Sequence, residues 1–88
     1  MKVVFTSKFS KDLYTIKEKD LVTAIKDTII ALEKATLLNE VAGLKKLKGY
    51  KTAYRIRIGD YRLGFYFENG TAIIARFIHR KEMYRFFP

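Results

Sequence analysis

The chain has no cysteine. That excludes a disulfide framework and any thiolate metal site, and it agrees with a reducing, cytoplasmic setting. Long apolar runs are absent too. The opening residues, Met1-Lys2-Val3-Val4-Phe5-Thr6-Ser7-Lys8, hold no stretch of signal-peptide length. Nothing approaches the roughly 20 apolar residues of a membrane span. Internal repeats and low-complexity segments are also missing. The expectation is a soluble cytoplasmic protein without membrane attachment, cofactor or metal. Acidic residues are scarce in one half only. Residues 1–44 carry seven Lys and six Asp or Glu, whereas residues 45–88 carry eleven Lys or Arg against Asp60, Glu68 and Glu82. The second half therefore holds +8 of the net charge of +9, together with every arginine. A charge spread only for solubility would not segregate in this way. Basic residues interleaved with Tyr and Phe favour a polyanionic partner: RNA, DNA or an acidic protein segment.

What is present suffices for one domain over residues 1–88. At 88 residues, 49% of them hydrophobic and with seven Phe and six Tyr, the chain can bury roughly 60–65% of its unfolded surface. Disorder requires low hydrophobicity as well as high charge and is rejected.

Lys2 to Thr6 reads as a strand. Ser7 is the expected cap of a first helix, in which Phe9, Leu13 and Ile16 share a face. Asp20 is the expected cap of a second, with Leu21, Ile25, Thr28, Ile29 and Leu32 aligned. The two form a helical hairpin. Residues 36–52, punctuated by Gly43 and Gly49, read as a lysine-rich loop pinned by Leu44 and Leu47. The period then becomes two. Tyr54, Ile56 and Ile58 alternate with Arg55 and Arg57, and Gly59-Asp60 turns the chain. Tyr61, Leu63, Phe65 and Phe67 alternate with Arg62, Gly64 and Tyr66. A turn at Glu68-Asn69-Gly70 leads to Thr71–Ile78, which is apolar on both sides apart from Arg76 and so suits a strand covered on both faces. Arg80 to Pro88 is a short helix or a docked tail. The order β-α-α-β-β-β defines an α+β fold, with an antiparallel-dominated sheet and its helices on one face.

Alternation sets Arg55, Arg57 and Arg62 opposite the apolar residues, on neighbouring strands. Guanidinium groups so close repel unless an anion answers them, and arginine's planar fork matches phosphate oxygens. The competing reading is arginine stems lying over apolar sheet with their heads in water.

Three segments taken together resemble the RelE/ParE toxin superfamily, and its RelE-like branch in particular. They are Leu47-Lys48-Gly49, Tyr54-Arg55-Ile56-Arg57-Ile58-Gly59-Asp60-Tyr61-Arg62-Leu63, and His79-Arg80-Lys81-Glu82-Met83-Tyr84. The match is specific over about residues 44–85. It implies the toxin of a type II toxin–antitoxin system: a metal-independent endonuclease that cleaves mRNA on the ribosome by 2′-OH attack on the phosphodiester. A cognate antitoxin would hold it inactive. Carried over by position, Arg62 and Arg80 stabilise charge on the phosphate and the leaving oxygen. Tyr84 stacks on or orients the nucleotide. Arg55 and Arg57 stand where RNA-cleaving relatives often have Lys. Lys45, Lys46, Lys48 and Lys51 are the expected RNA-binding residues. Arginine does not act as a base, which leaves the proton acceptor open. His79, the sole histidine, and more weakly Glu82 are candidates. Alternation points His79 away from Arg80, which favours a structural role, anchoring the tail to the core. Alternatives are a ParE-like gyrase-inhibiting toxin without nuclease activity, and a nontoxic RNA-binding module. The antitoxin is expected to bring an acidic, amphipathic segment that orders on the basic groove near Phe65, Tyr66, Phe86 and Phe87.

Overall fold

A computed structural model describes all of residues 1–88. Strand β1 (Lys2–Phe5) leads to helices α1 (Ser7–Tyr14) and α2 (Lys19–Lys34). A single 3-10 turn, Leu38–Glu40, precedes β2 (Leu44–Lys46). Then follow β3 (Ala53–Ile58), β4 (Tyr61–Glu68), β5 (Thr71–His79) and the short α3 (Met83–Phe86). The five strands form one sheet in the order β1-β5-β4-β3-β2. All neighbours are antiparallel except β1 and β5, which run parallel with Val3 opposite Ala72.

The α+β class and the run of elements agree with the sequence, with some differences. Thr6, not Ser7, caps α1: its hydroxyl oxygen accepts the Phe9 N–H at 3.2 Å. Asp20 lies inside the first turn of α2, where its charge suits the helix dipole; the capping position is Glu18, which makes no side-chain cap. The lysine-rich loop contains a strand. β2 pairs with β3, setting Lys45 opposite Arg55 and Leu44 opposite Ile56. Three residues are too few to show a period of two, so the pattern could not announce it. The helices follow one another as expected, but each leans chiefly on the sheet, α1 along β5 and α2 across β1 and β3.

The sheet is covered on both faces. On the helix side Phe9, Ile25 and Leu32 pack on Ile56, Leu63, Phe65, Ile74 and Phe77, each fully buried side chain contributing roughly 1.5–3 kcal/mol. On the other side a smaller cluster joins Leu47, Ala53, Ala75 and Ile78 to Met83 and Phe87 of the tail. Phe65 therefore belongs to the helix-side core and Phe87 to the tail core, both almost wholly buried. Neither is an exposed groove residue; of the four expected there, Tyr66 is half-buried and only Phe86 is exposed.

One irregularity decides which residues share the tail face. Gly64 pairs with Arg76 but Phe65 pairs with Ile74, so Ala75 is the extra residue of a β-bulge. In a regular strand, residues 72, 74, 76, 78 and 80 would line one face. The bulge breaks that parity. Ile74 and Phe77 both enter the helix-side core, while Ile78 turns to the tail side. Helix α1 holds the bulge in place. The Thr6 hydroxyl is shared between the carbonyls of Ile74 (3.0 Å) and Ala75 (3.1 Å). The Asp12 carboxylate accepts from Arg76 Nε (2.8 Å) and Nη2 (3.2 Å) and from the Phe77 N–H (2.9 Å).

Candidate functional site

The tail face of β3 and β4, with the start of the tail, carries a basic cavity of about 240 Å³. Arg55, Arg62, Arg80, Lys81, Met83 and Tyr84 line it, with no carboxylate in its wall. Each side chain arrives by a separate device. Arg55 faces this side through the alternation of β3, and its Nη1 donates to the Gly43 carbonyl at 2.9 Å. Arg62 lies at the start of β4, directly opposite Arg57. Its Nη1 donates to the carbonyls of Gly59 (3.0 Å) and Tyr61 (2.8 Å), so the turn aims the guanidinium. Arg80 follows the bulged strand, and its N–H donates to the Asp60 carbonyl at 2.8 Å. Tyr84 stands on α3, highly exposed, while its neighbour Met83 is buried against the sheet.

Gly64 makes the seat for this tail. The Phe87 ring lies over it so closely that a Cβ there would come within 2.7 Å of the ring. Phe87 also packs against Tyr66, ring centres 5.1 Å apart. The Arg76 guanidinium lies 6.0 Å from the Phe86 ring centre and donates to the Phe86 carbonyl at 3.4 Å. The Asp12–Arg76 pair thus joins α1, the bulge and the tail.

The cluster is compensated only at its exposed edge. Partial burial, and then the charges of Arg55, Arg57 and Arg80, hold the Arg62 pKa below the ordinary arginine value. The nearest carboxylate contact is the exposed Asp60, 3.7 Å from Arg80 Nε. Such an arrangement is costly when empty and favourable around an anion with several oxygens.

Of the residues singled out in the sequence, Arg55, Arg62, Arg80 and Tyr84 come together. Arg57 lies outside the wall but close enough to act on Arg62. Lys45, Lys46 and Lys48 line an adjoining cavity that shares Arg55 and Tyr84; Lys51 is exposed and lines neither. His79 does not join the cluster. It lies opposite Tyr61, against whose ring it packs edge-on at 5.5 Å, and Tyr61 stacks on the helix-side Phe77. Its Nδ1 accepts the Lys81 N–H at 3.2 Å, which holds the turn after β5. Glu82 is exposed at the start of α3, outside the cavity. Two residues escaped the sequence reading: Lys81 in the arginine-lined wall, and Tyr50 in the adjoining one. Tyr50 had a signal, an aromatic between Lys48 and Lys51.

A five-stranded sheet with two helices on one face and a short tail on the other is the fold of RelE/ParE toxins. The family model for the ParE toxin of the type II toxin–antitoxin system parDE matches residues 3–84. Toxin RelE3 of Methanocaldococcus jannaschii is 39% identical over 89 residues, spanning the whole of both chains. A chain in the crystal structure of the RelB–RelE antitoxin–toxin complex from Methanococcus jannaschii is similar at TM-score 0.81 and 36% identity. That match covers 97% of this chain and 99% of that one. A chain of the archaeal RelE–RelB complex from Pyrococcus horikoshii matches at TM-score 0.71 and 23% identity, covering 90% and 93%, and shares the fold. The protein described here belongs to the RelE/ParE superfamily of type II toxins.

Proposed function

We propose that the protein is a ribosome-dependent mRNA endonuclease, kept inactive by a cognate antitoxin. One observation carries this reading. Three guanidinium groups and a tyrosine line one cavity without a carboxylate in its wall, as a site for a phosphodiester requires. The fold-sharing RelE chains crystallised with RelB antitoxins support the partner. The concentration of charge in the second half supports an acidic segment on that partner and RNA as the substrate.

In this reading the scissile phosphate rests on Arg55, Arg62 and Arg80. The ribose 2′-oxygen attacks phosphorus, the bond to the 5′-oxygen breaks, and a 2′,3′-cyclic phosphate remains. Arg62 answers the charge that builds on the phosphoryl oxygens, and Arg80 that on the departing 5′-oxygen, which finally takes a proton. Tyr84 holds the nucleotide in line. The proton of the 2′-OH must go elsewhere than to arginine. Within the wall, Lys81 and Tyr84 are the side chains able to exchange one. Positioning and preorganised charge do most of the work.

Replacing Arg62 or Arg80 by Ala lowers the rate of mRNA cleavage on translating ribosomes by about a hundredfold or more, with the fold intact by circular dichroism. Unchanged rates in both variants would remove the assigned site. The ParE description of the family model favours gyrase inhibition as the second reading. Inhibition of supercoiling by a preparation that leaves mRNA whole would establish it.

A further inference from the structure

The cavity that adjoins the arginine-lined one measures about 200 Å³, and Arg55 and Tyr84 are common to both. Its remaining wall includes Lys45, Lys46, Lys48 and Tyr50. Tyr50 is 51% exposed and Tyr84 81%, so two phenol rings open onto one space. Neither stacks on another ring of the chain. Local geometry presents Tyr50. Leu47 is buried, Gly49 takes a φ of +86°, and the Tyr50 N–H donates back to the Leu47 carbonyl at 3.3 Å. This is a tight turn with glycine at the left-handed position, and it delivers the next side chain outward. Burial does not explain Tyr50, and its surroundings are cationic.

We propose that Tyr50 supplies a second stacking face: in this adjoining cavity it takes one face of the base that Tyr84 holds from the other, with the phosphate on Arg55, Arg62 and Arg80. The proposal rests on the reading of the arginine-lined cavity as a phosphate site, and it assigns Tyr50 to the neighbouring nucleoside. Every base offers a π face, and stacking on aromatic side chains is how single-stranded RNA is held. Lys45, Lys46 and Lys48 then answer the charge of the adjoining backbone. An acidic peptide would satisfy the lysines equally well, but it has no planar group for the rings.

The test follows the ring resonances of Tyr50 and Tyr84 and the Arg62 Nε signal by NMR in the intact chain. The probes are adenosine 3′-monophosphate, inorganic phosphate and a hexaglutamate peptide. The nucleotide should shift both rings and Arg62, and inorganic phosphate should shift Arg62 but not Tyr50. Tyr50→Ala should weaken nucleotide binding on the order of tenfold with phosphate binding unchanged, and Tyr50→Phe should bind as the unsubstituted chain does. Nucleotide binding that leaves Tyr50 unmoved, or that is equally tight in Tyr50→Ala, overturns the subsite. So does a Tyr50 response to hexaglutamate but not to the nucleotide. In those cases a phosphate response at Arg62 leaves the phosphate site standing; silence of Arg62 toward phosphate and nucleotide alike overturns both.

Discussion

For His79, residue type and position point in different directions. It is the sole histidine and adjoins Arg80, so chemistry alone makes it a candidate base. Strand parity sends it to the other face, where it packs on Tyr61 and accepts the Lys81 N–H. That contact holds the turn from which Arg80 and Lys81 project. Asn can accept the same N–H. His79→Asn should therefore keep at least about a third of the cleavage rate, with an unaltered pH–rate profile between pH 5 and 8. Loss of a kinetic pKa near the ordinary histidine value of about 6.5 in that variant would return His79 to the chemistry. The crowding around Arg62 was legible because three arginines on two strands must come close. Lys81 was not legible as part of the wall, because its position depends on how the chain leaves β5.

Among the elements, β5 matters most for the site. Its apolar character on both sides was visible in the sequence, but the bulge at Ala75 was not, since no glycine or proline marks it. The bulge brings Ile78 to the tail face and Arg80 into the cavity with Arg62. The contacts that fix it come from α1, through Thr6 and Asp12. Asp12→Ala leaves the Phe77 N–H without its acceptor and the Arg76 guanidinium with the Phe86 carbonyl alone. It should cost about 2 kcal/mol, read by urea denaturation, and cleavage should fall further than that loss of folded protein explains. The tail has its own dependence on one residue. Gly64→Ala drives a methyl into the Phe87 ring, so we expect a cost of about 1–3 kcal/mol. Amide exchange in α3 should rise while the helix-side core stays protected. Unaltered exchange in α3 would show that Phe87 does not hold the tail. A glycine inside β4 is readable as a close approach; what approaches is not, because Phe87 lies far along the chain. β2 shows the converse limit. It was read as loop because three residues cannot display a period, though its anchors Leu44 and Leu47 were identified.

For the molecule as a whole, the division of charge between the halves corresponds to a division of labour. The nearly neutral first half supplies the helices that cover one face of the sheet. The strongly basic second half supplies most of the sheet and, on its other face, the site. The fold was largely readable because hydrophobic periods of 3.6 and two occupy separate stretches. The candidate site was readable as a set of residues rather than as a shape: its members lie on β3, β4, the turn after β5 and α3, and their convergence is tertiary. No helix is long and apolar enough to cross a membrane. The proposed activity rests on a cationic cavity with no carboxylate in its wall, and the most direct test is the mapping of mRNA ends on translating ribosomes. With the purified protein the account predicts new cuts that end in 2′,3′-cyclic phosphate, absent with Arg62→Ala. Intact mRNA with the folded, antitoxin-free protein, or the same cuts at the same rate with Arg62→Ala, would contradict it.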